Sequence, residues 1–276
     1  TLTIHATIAN NTSAAALSSI GSSASRPTVT LTGTNTYSGG TTLGGDGWIS
    51  VGHNSALGTG DVIFNNSGIF RFSSDSGTGR SLSNPVTFNG EGVARMGAGS
   101  PSNGTLTFSG AVSLGGASRT LDTAVNTYFT GTVSNGGITK QGAANLYLQG
   151  ANIFSGLLDI TTSGTVALEH VGAVNGAPSV NMSAGNLGIG APFVGNTATI
   201  GNLTGTGGTI TTQWNAGNGV RTLQVNQTVD GTFAGVLQSE GAGLRQLALI
   251  KTGTATLTLS GNSTYSGGTT ISQGTL

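Results

Sequence analysis

The sequence predicts an all-β chain wound as a parallel β-solenoid, and three observations predict it. A unit recurs in register, strand signals are short and closely spaced, and charge is nearly absent. The unit is clearest at Thr256–Leu276, TLTLSGNSTYSGGTTISQGTL: an alternating Thr/Leu strand, a Gly-containing turn, an aromatic, a double Gly and a second short strand. Leu31–Leu43 (LTGTNTYSGGTTL) and Leu148–Ile160 (LQGANIFSGLLDI) repeat it, with Phe154 in the tyrosine place and Leu157 replacing the second Gly. Leu31, Leu148 and Leu259 are separated by 117 and 111 residues, and Tyr37, Phe154 and Tyr265 keep the same two spacings. An upstream marker, Arg119-Thr120-Leu121, recurs as Arg221-Thr222-Leu223.

Composition narrows the class. Of 276 residues 49 are Gly, 36% are hydrophobic and only 7% are charged, which argues against an ordinary enzyme domain. The apolar residues fall in short alternating runs, so order is expected despite the glycine content. Nine basic residues balance nine acidic ones, leaving no electrostatic footprint for nucleic acid or an anionic membrane surface. Cysteine is absent, which removes disulfides and thiolate metal sites and suits a chain that crosses an oxidising compartment unfolded. No apolar run reaches membrane-spanning length, and no signal-peptide pattern opens the chain.

In chain order, Thr1–Ile4 alternates as a strand, and Asn10–Ser25, rich in Ser, Ala and Asn, reads as a loop. Strand signals follow at Val29–Thr32, Trp48–Val51, Val62–Phe64, Ile69–Phe72, Val86–Phe88, Leu106–Phe108 and Val112–Leu114. They continue at Leu146–Leu148, Leu157–Ile160, Val166–Leu168, Leu223–Val225, Leu247–Ile250 and Leu257–Leu259. Gly, Asn, Ser or Asp bound each run, and the few Asn-Gly pairs lack the evenly alternating flanks of a hairpin. Stacked coils need only such short strands, with Val, Leu, Ile and Phe inward and Thr, Ser and Asn forming outward ladders. At roughly 20 to 30 residues per coil the chain would make about ten to twelve coils.

The closing unit with its lead, Ile250-Lys251-Thr252-Gly253, closely resembles the passenger-associated transport repeat, also called the autotransporter-associated β-strand repeat. The second copy keeps Lys140-Gln141-Gly142, Leu146–Gly150 and Phe154-Ser155-Gly156, whereas the first has Ser25-Arg26-Pro27 in place of the lysine lead. Copies are expected near 28–62, 138–175 and 249–276, within one continuous solenoid segment, 1–276, of a longer repetitive chain. The resemblance implies a right-handed parallel β-helix in the secreted passenger of a bacterial surface protein.

Candidate chemistry is sparse. A carbohydrate-active β-helix needs carboxylates converging on one face, but the nine acids never lie nearer than ten residues, and Asp61 with Glu91 or Asp46 with Asp75 are the pairs that could stack on adjacent coils. Their expected role is as solvated turn residues. His53 and His170 are 117 residues apart, each sixteen after its aromatic, which points to a shared corner; His5 stands alone. Trp48 and Trp214 are expected to pack rather than to serve as exposed glycan platforms. Gly205-Thr206-Gly207 is read as a flexible corner, not a phosphate cradle. No catalytic, cofactor-binding or metal-ligating residue is assigned. The expected role is a structural stalk or fibre outside a bacterial cell, with its own copies or adjoining repeats, and host or matrix glycans, as partners. A glycan-binding adhesin and a carbohydrate-active enzyme are the alternatives.

Overall fold

The computed structural model describes residues 2–21, 28–65, 68–97, 104–212 and 217–276. Apart from one 3-10 turn at Ala191–Phe193, the regular structure of these residues is β-strand. Among the described residues the strands pair in parallel, and register partners lie 20 to 28 residues apart, as in Val29 with Ile49 and Gly205 with Phe233. The chain is therefore a β-solenoid of about 11 turns. It divides into two compact units, Thr1–Gly136 with Gly142–Ala144, and Gly137–Gln141 with Asn145–Leu276.

In the first unit one sheet stacks Leu2–Ile4, Thr28–Leu31, Trp48–Val51, Ile69–Ser74, Val93–Met96 and Ser118–Thr123. A second stacks Leu17–Gly21, Thr41–Gly45, Val62–Asn65, Val86–Phe88, Val112–Ser113 and Val133–Ser134. A third face, Arg80–Leu82, Leu106–Phe108 and Thr127–Phe129, is added from Arg80 onward. Period-2 alternation sends every other side chain inward, and stacking turns those positions into columns. Phe64 stands in register with Phe88, their rings stacked 4.7 Å apart, and also meets Phe70 and Phe72 at 6.0 Å. Phe72 continues to Phe108 and Phe108 to Phe129, giving this unit an aromatic spine.

The second unit has one sheet of Gly137–Gln141, Leu158–Ile160, Val180–Met182, Leu203–Gly205, Gly231–Phe233 and Leu257–Leu259. Another holds Leu146–Leu148, Thr165–Leu168, Asn186–Ile189, Thr209–Thr212 and Val236–Gln238. A third, Thr197–Ile200, Gly219–Asn226, Arg245–Thr252 and Thr269–Ile271, joins it from Thr197 onward. Ile138, Leu158, Val180 and Leu203 form one fully buried column. Beside it, facing out, Asn181 donates to Asp159 (2.7 Å) and Thr204 donates to Asn181 (3.1 Å), the outward polar ladder that the composition predicts.

Two expectations change. Asn10–Ser25, read as a loop, contains the strand Leu17–Gly21, which pairs with Thr41–Gly45 although little in its Ser-rich sequence favours a strand. Several other strands carry no local signal either, among them Ser118–Thr123 and Thr209–Thr212. Their inward threonines are buried, yet satisfied: Thr123 donates to the Ala144 carbonyl at 2.7 Å and Thr212 to that of Arg245 at 3.0 Å. Templating by the neighbouring coil supplies the order that propensity does not. Hairpin pairing is confined, among the described residues, to isolated bridges such as Glu240 with Arg245.

The aromatic spine locates the stability of the first unit. Phe64→Ala should lower its resistance to urea by about 3–5 kcal/mol, the usual loss for a buried Phe truncation, whereas removing the exposed Val229 side chain of the second unit should leave it unchanged.

Candidate functional site: the corners of the repeat

The recurring unit folds as strand, corner, strand. In the first copy the corner aromatic Tyr37 is fully buried, and its hydroxyl shares a hydrogen bond of 2.7 Å with buried Thr41. The third copy repeats this contact between Tyr265 and Thr269 at 2.6 Å. In the second copy the same two positions are Phe154 and Leu158, both fully buried. The hydroxyl pair is thus exchanged for an apolar pair as a unit. Gly40 and Gly268, at the matching place, have φ of +85° and +86°, a conformation that L residues avoid. Leu157 occupies that place in the second copy with no positive φ, so its corner takes a different path and leaves the leucine exposed. Within the second unit the copies also sit on different sheets, Leu148 on the Leu146–Leu148 sheet and Leu259 on the Leu257–Leu259 sheet. The motif encodes a transferable corner rather than a fixed face.

The first two corners are bonded to the coil that follows. Buried Asn35 donates to the Ala56 carbonyl (2.6 Å), and buried Asn152 donates to that of Ala173 (3.1 Å). His53 and His170, predicted to share a corner, do so: the Nδ1 of His53 accepts the Ser55 amide, that of His170 accepts the Gly172 amide, and both bonds are 3.0 Å. They hold the turn on which the buried asparagine closes. His5 is exposed and bonds Thr32 through Nδ1 at 2.7 Å.

Buried cations are the feature that sequence reasoning missed. Lys251 of the Lys-x-Gly lead is fully buried, and its ammonium donates to the carbonyls of Thr252 and Gly253 (2.8 Å each) and, one coil on, Gln273 (3.2 Å). Burial pulls its pKa below the ordinary lysine range. Lys140, its equivalent, is also fully buried and reaches the Ser163 carbonyl of the next coil at 3.4 Å. The arginines of the Arg-Thr-Leu marker reach backwards instead. Arg119 donates to the Gly90 carbonyl (2.7 Å) and to Glu91 (3.0 Å), and Arg221 to the Gly190 carbonyl (3.1 Å). Burial, then the charge of Arg245, lowers the Arg221 pKa, and the guanidinium also donates to the carbonyls of Gly219 and Gly217. The coincidence of Lys-x-Gly and Arg-Thr-Leu with repeat phase was the available signal.

The carboxylates are engaged locally. Asp46 accepts the Ile69 amide (2.7 Å), Asp75 pairs with Arg80 (2.9 Å) and Glu91 with Arg119 (3.0 Å), so three of the four acids considered for stacked pairs have separate partners; the fourth, Asp61, is exposed. Asp230 accepts the Thr256 amide (2.7 Å), and Glu240 accepts from the Thr211 hydroxyl (2.7 Å). Among the described residues no group of three potential metal ligands is found. No described helix is long and apolar enough to cross a membrane. Trp48 is half-buried, as expected, and donates to Ser73 (2.9 Å); Trp214, and the Ser25-Arg26-Pro27 segment, lie outside the described residues. Gly205 has a φ of +145° at the end of its strand, in keeping with a corner.

Two outcomes test this account of the corner. Tyr37→Phe leaves the Thr41 hydroxyl only its long bond to the Leu57 carbonyl (3.5 Å) and should cost about 1 kcal/mol at neutral pH, while Tyr37→Phe with Thr41→Val, approaching the Phe154–Leu158 pair, should cost less than the two changes summed in denaturant unfolding. Burial raises the Tyr37 pKa, so the unfolded phenol ionises first. Wild-type stability therefore falls as pH rises above about 10, and the difference from Tyr37→Phe should shrink there. Separately, Lys251→Met leaves buried carbonyls unsatisfied and should destabilise by about 1–3 kcal/mol, with faster amide exchange over 269–273.

Comparison with known families gives one result. The model of the passenger-associated-transport-repeat matches residues 28–48, 138–168 and 249–276. No curated protein and no solved structure matches the chain significantly. The matched segments contain the aromatic corners and both buried lysines, and the histidine-held turns follow directly after the first two. This chain is a β-solenoid that carries three passenger-associated transport repeats.

Proposed function

We propose that the chain is an extracellular stretch of an exported bacterial passenger protein, and that its work is mechanical: a charge-poor scaffold that holds other parts of its parent away from the cell. One observation carries this reading. The side chains most expensive to bury, Lys140, Lys251 and Arg221, are all spent on backbone carbonyls that join coils. An enzyme would be expected to keep such groups, or paired carboxylates, facing a substrate.

The same bonds support a mechanism for export. A chain crossing a membrane unfolded leaves each corner incomplete until the next coil arrives, because Asn35, Asn152, Lys140 and Lys251 find acceptors one coil ahead. Each arriving coil buries apolar surface against its predecessor and satisfies those donors. Folding outside would then draw the chain outward and oppose its return, with no nucleotide consumed.

Antibody raised against the purified chain should label intact producing cells, and brief protease treatment of unbroken cells should remove the label. Label that emerges only after lysis would overturn the extracellular reading, and release of reducing sugar from a polysaccharide panel by the purified chain would overturn the scaffold role.

A further inference from the structure

Five asparagine-glycine pairs lie in this chain, beginning at Asn89, Asn103, Asn135, Asn175 and Asn218. Such a pair is prone to modify itself, because glycine has no side chain to keep its amide nitrogen away from the asparagine carboxamide. Asn103 lies outside the described residues; the other four asparagines are all exposed, so exposure does not separate them. The bonding of the glycine amide does. Gly90 donates to the Phe64 carbonyl (3.0 Å), Gly104 to that of Ser76 (2.8 Å) and Gly219 to that of Leu244 (2.8 Å), each a tie between coils. The amides of Gly136 and Gly176 donate to no described residue.

Local geometry accounts for the difference. Asn135 has a φ of +62°, a left-handed conformation that asparagine enters more readily than most residues. Its own carbonyl, and not the following amide, makes the tie to the coil before by accepting the Gly116 amide at 2.7 Å. Gly176 sits inside a turn whose closing bonds pass it by: Asn175 donates to the Gly172 carbonyl (3.3 Å) and Ala177 to that of Val174 (2.9 Å). Neither the Asn135 nor the Asn175 carboxamide is hydrogen-bonded to a described residue, so each can turn toward the backbone.

We propose that Asn135 and Asn175 are sites of spontaneous deamidation in the folded protein, and that the ties made by Gly90 and Gly219 protect Asn89 and Asn218. Solvent base takes the proton of the glycine amide, the nitrogen attacks the carbonyl carbon of the asparagine side chain, and the new C–N bond displaces ammonia to leave a cyclic succinimide. Water opens the ring at either carbonyl, giving aspartate or, with one more methylene in the main chain, isoaspartate. A bonded amide must first leave its acceptor, which requires the coil to open locally. Each conversion adds a negative charge to a chain whose formal net charge is zero. At Asn175 the lengthened backbone falls beside the aromatic corner of the second repeat, where Gly176 lies so close to the carbonyl of buried Phe154 that no side chain fits. The chemistry makes no use of the scaffold role, so either can fail without the other.

Peptide mapping by mass spectrometry of the purified chain, aged at mildly alkaline pH both folded and in guanidinium, tests the proposal. The unfolded chain supplies a reference rate for every pair. In the folded chain Asn89 and Asn218 should react at least about tenfold more slowly than their references, the cost of breaking one backbone bond, while Asn135 and Asn175 should stay close to theirs. Ion exchange gives an independent readout: Asn135→Gly with Asn175→Ser should remove the main acidic species of the aged folded chain, and Asn89→Ser with Asn218→Ser should leave them. Thermal unfolding checks that each variant is folded, and mapping of the unaltered chain decides the matter if one is not. Equal protection of all four pairs, or reaction at Asn89 or Asn218 as fast as at Asn135 or Asn175, would overturn it.

Discussion

Parallel, in-register pairing between coils is the constraint on which the rest of this structure depends. It places each residue directly over its counterpart about 4.8 Å away, so every position is judged by how well it stacks on its own kind. Apolar side chains pass that test, as the column Ile138, Leu158, Val180 and Leu203 and the ring stack of Phe64 on Phe88 show. Amides and hydroxyls pass because they both donate and accept, as from Thr204 through Asn181 to Asp159. Charges of one sign fail, which accounts for a chain only 7% charged.

The corners solve a second problem that stacking creates. Where strands end, backbone carbonyls turn toward the interior and must be bonded. Lysine at the strand end supplies several donors on one flexible stem, and arginine supplies a planar fork. Lys251 and Lys140 reach to the coil ahead, while Arg119 and Arg221 reach to the coil behind. Asparagine does the same at shorter range: Asn35 and Asn152 reach forward, and Asn84 reaches back to the carbonyls of Gly58 and Gly60. Polar residues in this core are therefore ties between coils, and the repeat segments contain those made by Asn35, Asn152, Lys140 and Lys251.

The outer surface is under a looser rule, since a residue there need only tolerate its stacked neighbours. Most positions take Thr, Ser or Asn. The row of Trp48, Arg71 and Arg95 breaks that pattern, and there Asp122, the next residue of the row, pairs with Arg95.

Much of this was legible in the sequence. Matching spacings of Leu31, Leu148 and Leu259 with Tyr37, Phe154 and Tyr265 gave the repeat, short closely spaced strands without hairpin flanks gave the solenoid, and the spacing of His53 and His170 gave their common corner. Strands such as Leu17–Gly21 and Thr209–Thr212 were not legible, since their conformation is imposed by the coil beside them and not by their own side chains. The burial of Lys140 and Lys251 was equally hidden: a lysine reads as a surface residue until tertiary structure shows how many carbonyls surround its ammonium. Local pattern thus determined the fold class and the repeat, whereas stacking decided which polar groups face inward and which outward residues share a row. Contacts 20 to 28 residues apart in sequence become nearest neighbours only once the coil lengths between them are fixed.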